Sequence, residues 1–247
     1  MVSPLYYDMF QVAKKYGGGT KLAFLYCAES PVCPVGVASA AKKAGVDITY
    51  TSAISATAPG YTAPCLAAKA SGAKSINIAD ASALILEAMK DCIQQSYHPL
   101  LIAVDGQVAS TWASSPAAQG ARIFQNDAPF SDTSNSGIKQ MQKALEKYAP
   151  GLMKSSLYDE NVVYAWAAGM LFKAAAQAAH LGNDAKSAQV VNGLYDLKSD
   201  TLGGVAPPLS YQRGKKHTID CGFVEGVQNN AFFLPQGQTQ VCAPAGT

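Results

Sequence analysis

The chain of 247 residues has little charge, few histidines and no long apolar run. Charged residues make up 15% and the formal net charge is +2, too small for a nucleic-acid or anionic-membrane surface. The basic residues are scattered, and Lys215-Lys216 is only a doublet. No apolar stretch nears the roughly 20 residues that span a bilayer. Met1 to Phe10 lacks a basic start followed by a long apolar core, so no signal peptide is visible there. Also missing are the G-x-S-x-G elbow, the H-E-x-x-H pair and the Walker sequence. His98, His180 and His217 lie in separate segments and join no serine or cysteine motif. Neither a metal nor a cofactor is expected.

What is present suits a packed globule. Hydrophobic residues make up 49%, which excludes a disordered chain, and the length allows one large domain or two modest ones. The segment "KYGGGTKLAFLYC", Lys15 to Cys27, puts three glycines before a strand-like run. A phosphate cradle needs them after a strand and before a helix, where amide groups face the anion. Here they read as a turn into a sheet.

Six cysteines, Cys27, Cys33, Cys65, Cys92, Cys221 and Cys242, show no C-x-x-C spacing and no nearby histidine. An even number without metal spacing suggests disulfides and an oxidising compartment. Buried free thiols in a cytosolic protein are the alternative.

Strand and helix signals alternate. Strands are expected at Lys21 to Cys27, Val46 to Tyr50, Ser75 to Ile78 and Leu100 to Val104, about 25 residues apart. Helices are expected between them at Val35 to Ala44, Pro64 to Ser71 and Ser82 to Gln95. Pro64 falls in a first helical turn, and Gly45 and Gly72 follow helices as left-handed caps. Short apolar strands joined by helices imply an α/β doubly wound parallel sheet with right-handed crossovers.

After Val104 the alternation breaks. A short strand is expected at Ala121 to Phe124 and a helix at Ile138 to Tyr148. A longer helix runs from Asp159 to Leu181, capped by Asp159 and closed by Gly182, and another from Ala185 to Leu197. Phe223 to Val227 and Ala231 to Leu234, joined by "QNN", read as a hairpin. A mostly helical second lobe is therefore expected between the parallel sheet and its last strands. The domain division is 10–108 plus 218–240 for the doubly wound lobe and 109–217 for the partial second lobe.

Several ordered pieces resemble one family. They are "AAKKAGVDITYT" (Ala40 to Thr51), "APGYTAPCLAAKASGAKSINIA" (Ala58 to Ala79), "YAWAAGMLFKAAAQAAHLG" (Tyr164 to Gly182) and "TLGGVAPPLSY" (Thr201 to Tyr211). In order and spacing the chain resembles the type I periplasmic solute-binding proteins of ABC transporters, the branched-chain amino acid group. The resemblance covers roughly residues 10 to 235. Family members begin with a half-lobe of over a hundred residues that this chain lacks, and Met1 to Gln11 looks like the region after the first hinge crossing.

The resemblance implies an extracytoplasmic location, in periplasm or at a cell surface, with a lipid anchor in the full-length protein as one form. It implies a small solute (amino acid, amide or small organic acid), an ABC permease as partner, and capture rather than catalysis. A sensory receptor ectodomain of the same fold is the alternative, and an α/β enzyme using Cys27 as nucleophile the more remote one. In a sheet of order 2-1-3-4, ligands sit beyond the carboxyl ends at the switch between strands 1 and 3. That selects Cys27, Glu29 and Ser30 on one side and Ala79 and Asp80 on the other, with Asp105 next along. The family analogy makes Asp80 and Asp105 candidates for the charge facing a ligand's ammonium group. The equal alternative is that each caps a helix or turn. Aromatic residues expected in the first and third loops are missing, which weakens a branched-chain ligand. Trp112 and Tyr61 either line the cleft or belong to the core. The same geometry pairs Cys27 with Cys33 across a loop, Cys65 with Cys92 on one face, and Cys221 with Cys242 beside the hairpin.

Overall fold

The computed structural model describes residues 4–184 and 186–244. The chain opens with helix α1 (Pro4–Tyr16), whose proline sits where a missing N–H costs least. Strand β1 (Lys21–Cys27) follows, then α2 (Val37–Ala44), β2 (Asp47–Ile54), α3 (Thr62–Ala70), β3 (Ser75–Ala79), α4 (Ser82–Gln94) and β4 (Leu100–Val104). Next come β5 (Arg122–Gln125), α5 (Ser136–Tyr148), α6 (Glu160–Ala178) and α7 (Ser187–Asp196). Strands β6 (Cys221–Gln228), β7 (Ala231–Phe233) and β8 (Val241–Cys242) close the described chain.

These strands form one sheet in the order β2-β1-β3-β4-β5-β6-β7, with β8 also on β6. Strands β1 to β5 pair in parallel, and β6 runs antiparallel to β5. The expected 2-1-3-4 order is present, and the fold is the doubly wound α/β type. Helices lie on both faces. Met9 and Phe10 of α1 and Ala40 and Ala41 of α2 pack on Leu22 and Phe24, while Cys65, Ala68, Ile85 and Ala88 of α3 and α4 pack on Ala23, Leu25, Ile76 and Ile78. Alternate residues of β1 thus point to opposite faces, as the pleat requires. No helix among the described residues is long and apolar enough to cross a membrane.

Local signals place most boundaries. Gly45 caps α2 at φ 68°, and Asp159 caps α6 by accepting the Asn161 N–H at 3.0 Å. Asn229 and Asn230 take φ 54° and 59° in the two-residue turn between β6 and β7, the mirror-type turn that matches strand twist.

Among the boundaries that differ from expectation are those of β2, α5, α6 and α7. Strand β2 runs on to Ile54, because main-chain pairing with β1 carries it through exposed residues that give no burial signal. Helix α5 starts at Ser136, since Asn135 accepts the N–H groups of Gly137 and Ile138. Helix α6 stops at Ala178: His180, not Gly182, takes the left-handed conformation at φ 48°. Helix α7 begins at Ser187, and Ala185, where it was expected to start, lies outside the described residues, as do Met1, Val2 and Ser3.

Strand β5, within 109–217, is hydrogen-bonded between β4 and β6 in the same sheet. Three disulfides join Cys27 to Cys33, Cys65 to Cys92 and Cys221 to Cys242, the pairs the spacing suggested.

Candidate functional site

Pairing of β1 with β3 puts Tyr26 opposite Ala79, so the loops leaving both strands emerge side by side at the switch point. The loop after β1 is closed by the Cys27–Cys33 bridge, with Cα atoms 6.1 Å apart. Within it Glu29 is exposed, and its Oε1 accepts the Ser55 hydroxyl at 2.7 Å and the Ala56 N–H at 2.9 Å. Those bonds, the Ser55 one first, hold its carboxyl below the usual carboxylate range. Ser30 is half-buried, and its carbonyl accepts the Cys33 N–H. The loop after β2 is thus tied to the loop after β1. Tyr61 anchors it from below: its ring is buried and its hydroxyl donates to the Ser55 carbonyl at 3.0 Å.

Across the switch point, Ala79 is buried at the end of β3. Asp80 follows, half-buried. Its Oδ1 accepts the Ala81 N–H at 2.7 Å, while its Oδ2 has no hydrogen-bond partner and almost no solvent contact. The N-cap of α4 is Ala81, and no side chain caps that helix. Asp80 therefore stands one residue short of the capping position. A carboxylate oxygen left without a partner is costly unless something supplies one.

Asp105, after β4, faces inward. Both of its oxygens accept the Asn126 N–H, each at 2.9 Å. Burial raises its pKa to about 7, with Asp127 adding to the rise while the Asn126 bond and the neighbouring Tyr164 hydroxyl oppose it. Trp112 is fully buried, and its indole N–H donates to Ser82 Oγ at 2.8 Å. Its ring belongs to the core. The fold thus brings Glu29, Ser30, Ala79 and Asp80 to one end of the sheet, puts Asp105 at that end after β4, and buries the Trp112 ring in the core.

Sequence reasoning missed three features. Gln107 stitches β3 to β4: its Nε2 donates to the Ile78 carbonyl at 2.9 Å and its Oε1 accepts the Val104 N–H at 2.8 Å. The second is a pair of buried acids, Glu160 and Glu225. In sequence Glu160 looks like an ordinary first-turn acid and Glu225 like the outward residue of a strand. The third is a groove of about 840 Å³ along α4, lined by Ala83, Leu86 and Ile93 on one side and Thr111, Pro116 and Ala117 on the other. Its size suits a small organic molecule. None of the six expected ligand residues lines it, although Ser82, at its end, lies two residues from Asp80.

Residues 5–231 match the sequence profile of the periplasmic binding protein family. No curated protein sequence matches the chain. Among solved structures, a branched-chain amino acid ABC transporter protein from Thermus thermophilus with bound valine superposes with a TM-score of 0.76 at 12% identity, over 97% of this chain and 65% of that one. A leucine-binding protein from Thermotoga maritima gives 0.71 at 13% identity, over 98% and 66%. A solute-binding protein of an ABC transporter from Rhodopseudomonas palustris, in complex with benzoate, gives 0.70 at 15%, over 98% and 64%. This chain spans about two thirds of each.

Proposed function

This chain belongs to the periplasmic binding protein family, and we propose that it forms the solute-gripping part of an extracytoplasmic component that serves an ABC permease. The observation that carries the reading is the unpartnered Oδ2 of Asp80 at the switch between β1 and β3. An ammonium or amide N–H donor from a solute would complete it, with Glu29 and Ser30 across the crevice. Asp105 has both oxygens engaged by the Asn126 N–H, after β5. The solute class is a small amino acid, amide or organic acid. The solved relatives hold valine and benzoate, and another is described as a fatty acid binder, so the fold does not favour one head group. Three disulfides and the family point to a place outside the cytoplasm, and a lipid anchor belongs to the same proposal.

Capture would need two lobes. Residues 10–108 with 218–240 serve as the gripping lobe, and the helical segment within 109–217 begins the other. The bonding of β5 between β4 and β6 supports setting the lobe boundary after β5 rather than at residue 108. A micromolar Kd corresponds to about −8.2 kcal/mol, shared between the lobes and their closure, so one lobe alone binds more weakly than two.

A receptor ectodomain that senses the same solutes is the second reading, favoured by neighbours described as extracellular ligand-binding receptors. Nucleophilic catalysis by Cys27 loses its support, because that sulfur is bonded to Cys33.

Native mass spectrometry of the non-reduced chain with a pool of amino acids, amides and aromatic acids tests the reading. A one-to-one adduct that disappears in Asp80→Asn is the expected result. An adduct unchanged in that variant overturns the site. No adduct, either in this chain or in one extended to the length of its solved relatives, overturns solute capture.

A further inference from the structure

Helix α4 carries apolar residues on two sides. Leu84, Ile85, Ala88, Met89 and Cys92 are buried and belong to the core cluster. Leu86 and Ile93, two helical turns apart and so nearly in line, lie on another side and stay half-buried. A helix on the surface of a domain usually turns polar residues outward there.

These two side chains form one wall of the groove of about 840 Å³. The facing wall is the 109–117 segment, which presents only small or compact residues, among them Ala109, Pro116 and Ala117. That wall is braced from behind. The buried Trp112 ring holds Ser82 Oγ through its indole N–H at 2.8 Å, and Gln119 Nε2 donates to the Ala113 and Ser115 carbonyls, each at 3.1 Å. A recess of this size with walls already fixed can take a ligand without first being ordered.

Its charge is uneven. By helical rotation Lys90 falls between Leu86 and Ala83, at the middle of the α4 wall. No hydrogen bond or ion pair engages it among the described residues. Glu87, the other charged residue of the wall, stands at the edge beside Asp91, the side that faces Tyr61 and α3. An apolar trough with an unengaged ammonium group at its middle suits a molecule with an apolar body and one negative charge.

We propose that this groove is a second ligand site that takes a free amphipathic monocarboxylate. Its alkyl or aryl body would lie on Leu86, Ile93, Pro116 and Ala117, and its carboxylate on Lys90. The inference does not rest on the solute reading: the groove shares no residue with the Asp80 site, although Ser82 at its end is two residues away.

NMR titration of the amide groups of the disulfide-intact chain with octanoate, octylamine and octanol tests the proposal. Octanoate should shift amides of 82–94 and 109–117 with a Kd of about 1 mM or below. Octanol should shift the same amides more weakly. Lys90→Gln should weaken octanoate about three- to tenfold and leave octanol unchanged. Ala83→Trp and Thr111→Trp, at exposed positions on opposite walls, should fill the groove and abolish both, while Asp80→Asn changes neither. Shifts that do not saturate, or that scatter over the surface, overturn the proposal. So does octanoate binding that survives both tryptophan variants, or octylamine binding as tightly as octanoate. Sedimentation showing a dimer that protects these amides would give the groove to a second copy of the chain and overturn it as well. Should a tryptophan variant not fold, the wild-type and Lys90→Gln titrations decide.

Discussion

Asp91 in α4 accepts the backbone N–H of Tyr61, at the entry to α3, through Oδ2 at 2.6 Å. Tyr61 is the N-cap of α3 and has no side-chain cap of its own. A carboxylate two elements away thus performs the service usually supplied by a glutamate or glutamine three residues into the same helix. It also meets the positive end of the α3 dipole. Because Tyr61 anchors the loop after β2, this bond positions one wall of the candidate site.

Asp91→Ala should destabilise the fold by about 1–2 kcal/mol, the usual effect of losing a charged cap. The urea midpoint measures it. The Ser55–Ala56 loop should loosen as well, visible as faster proteolysis there, while amides of β4 keep their protection. A midpoint shift below about 0.3 kcal/mol would show that water replaces the carboxylate at no cost.

The same two helices are joined by Cys65–Cys92, both residues buried, with Cα atoms 4.9 Å apart and a sequence separation of 27. Chain entropy for a loop of that size gives about 3.5 kcal/mol, against about 2.5 for the shorter Cys27–Cys33 loop. The Cys65→Ala/Cys92→Ala double variant should therefore lose more stability than Cys27→Ala/Cys33→Ala in parallel denaturation curves. The reverse order would mean that strain or residual structure outweighs loop length. The second pair also offers a functional contrast, because its removal frees the loop carrying Glu29 and Ser30 while leaving the core intact.

Asp8, fully buried on α1, meets no hydrogen-bond partner at either oxygen, though the Ala243 backbone lies nearby. Burial raises its pKa to about 7, opposed by the Ala243 amide and reinforced by Asp220. The folded pKa exceeds the unfolded one, so its contribution is complete below about 4 and falls away as pH rises to about 7. Asp8→Asn removes that dependence. Its Tm relative to wild type should be higher at pH 8 than at pH 5, as read by thermal unfolding at both values. A difference that does not change with pH would mean that Asp8 is already ionised in the fold.

Where a local rule decides the structure, the sequence was sufficient. β1, β3 and β4 were visible as short apolar runs, and α4 as a stripe of Leu84, Ala88 and Cys92. Gly45 and Asp159 gave away their caps because only a few residue types suit those backbone positions. The edge strand β2 was half visible, since its outer half is held by main-chain bonds to β1 rather than by burial. At the candidate site, the end of the sheet was legible from strand order, and so was the set of loops that meets there. The state of each side chain was not. Asp80 and Asp105 look alike in sequence, each an aspartate directly after a strand. One keeps a free oxygen and the other spends both on Asn126.

The sequence by itself determined the alternation of strand and helix and the parallel order of the first four strands, while the three cysteine pairs were closed by the fold. Periodicity, turn chemistry and right-handed crossover are properties of short segments. Only the tertiary structure placed β5 in the sheet, sent Trp112 into the core and buried Glu160 and Glu225. Those outcomes depend on which residues far apart in the chain come to exclude water from one another. Burial of that kind has no period along the sequence.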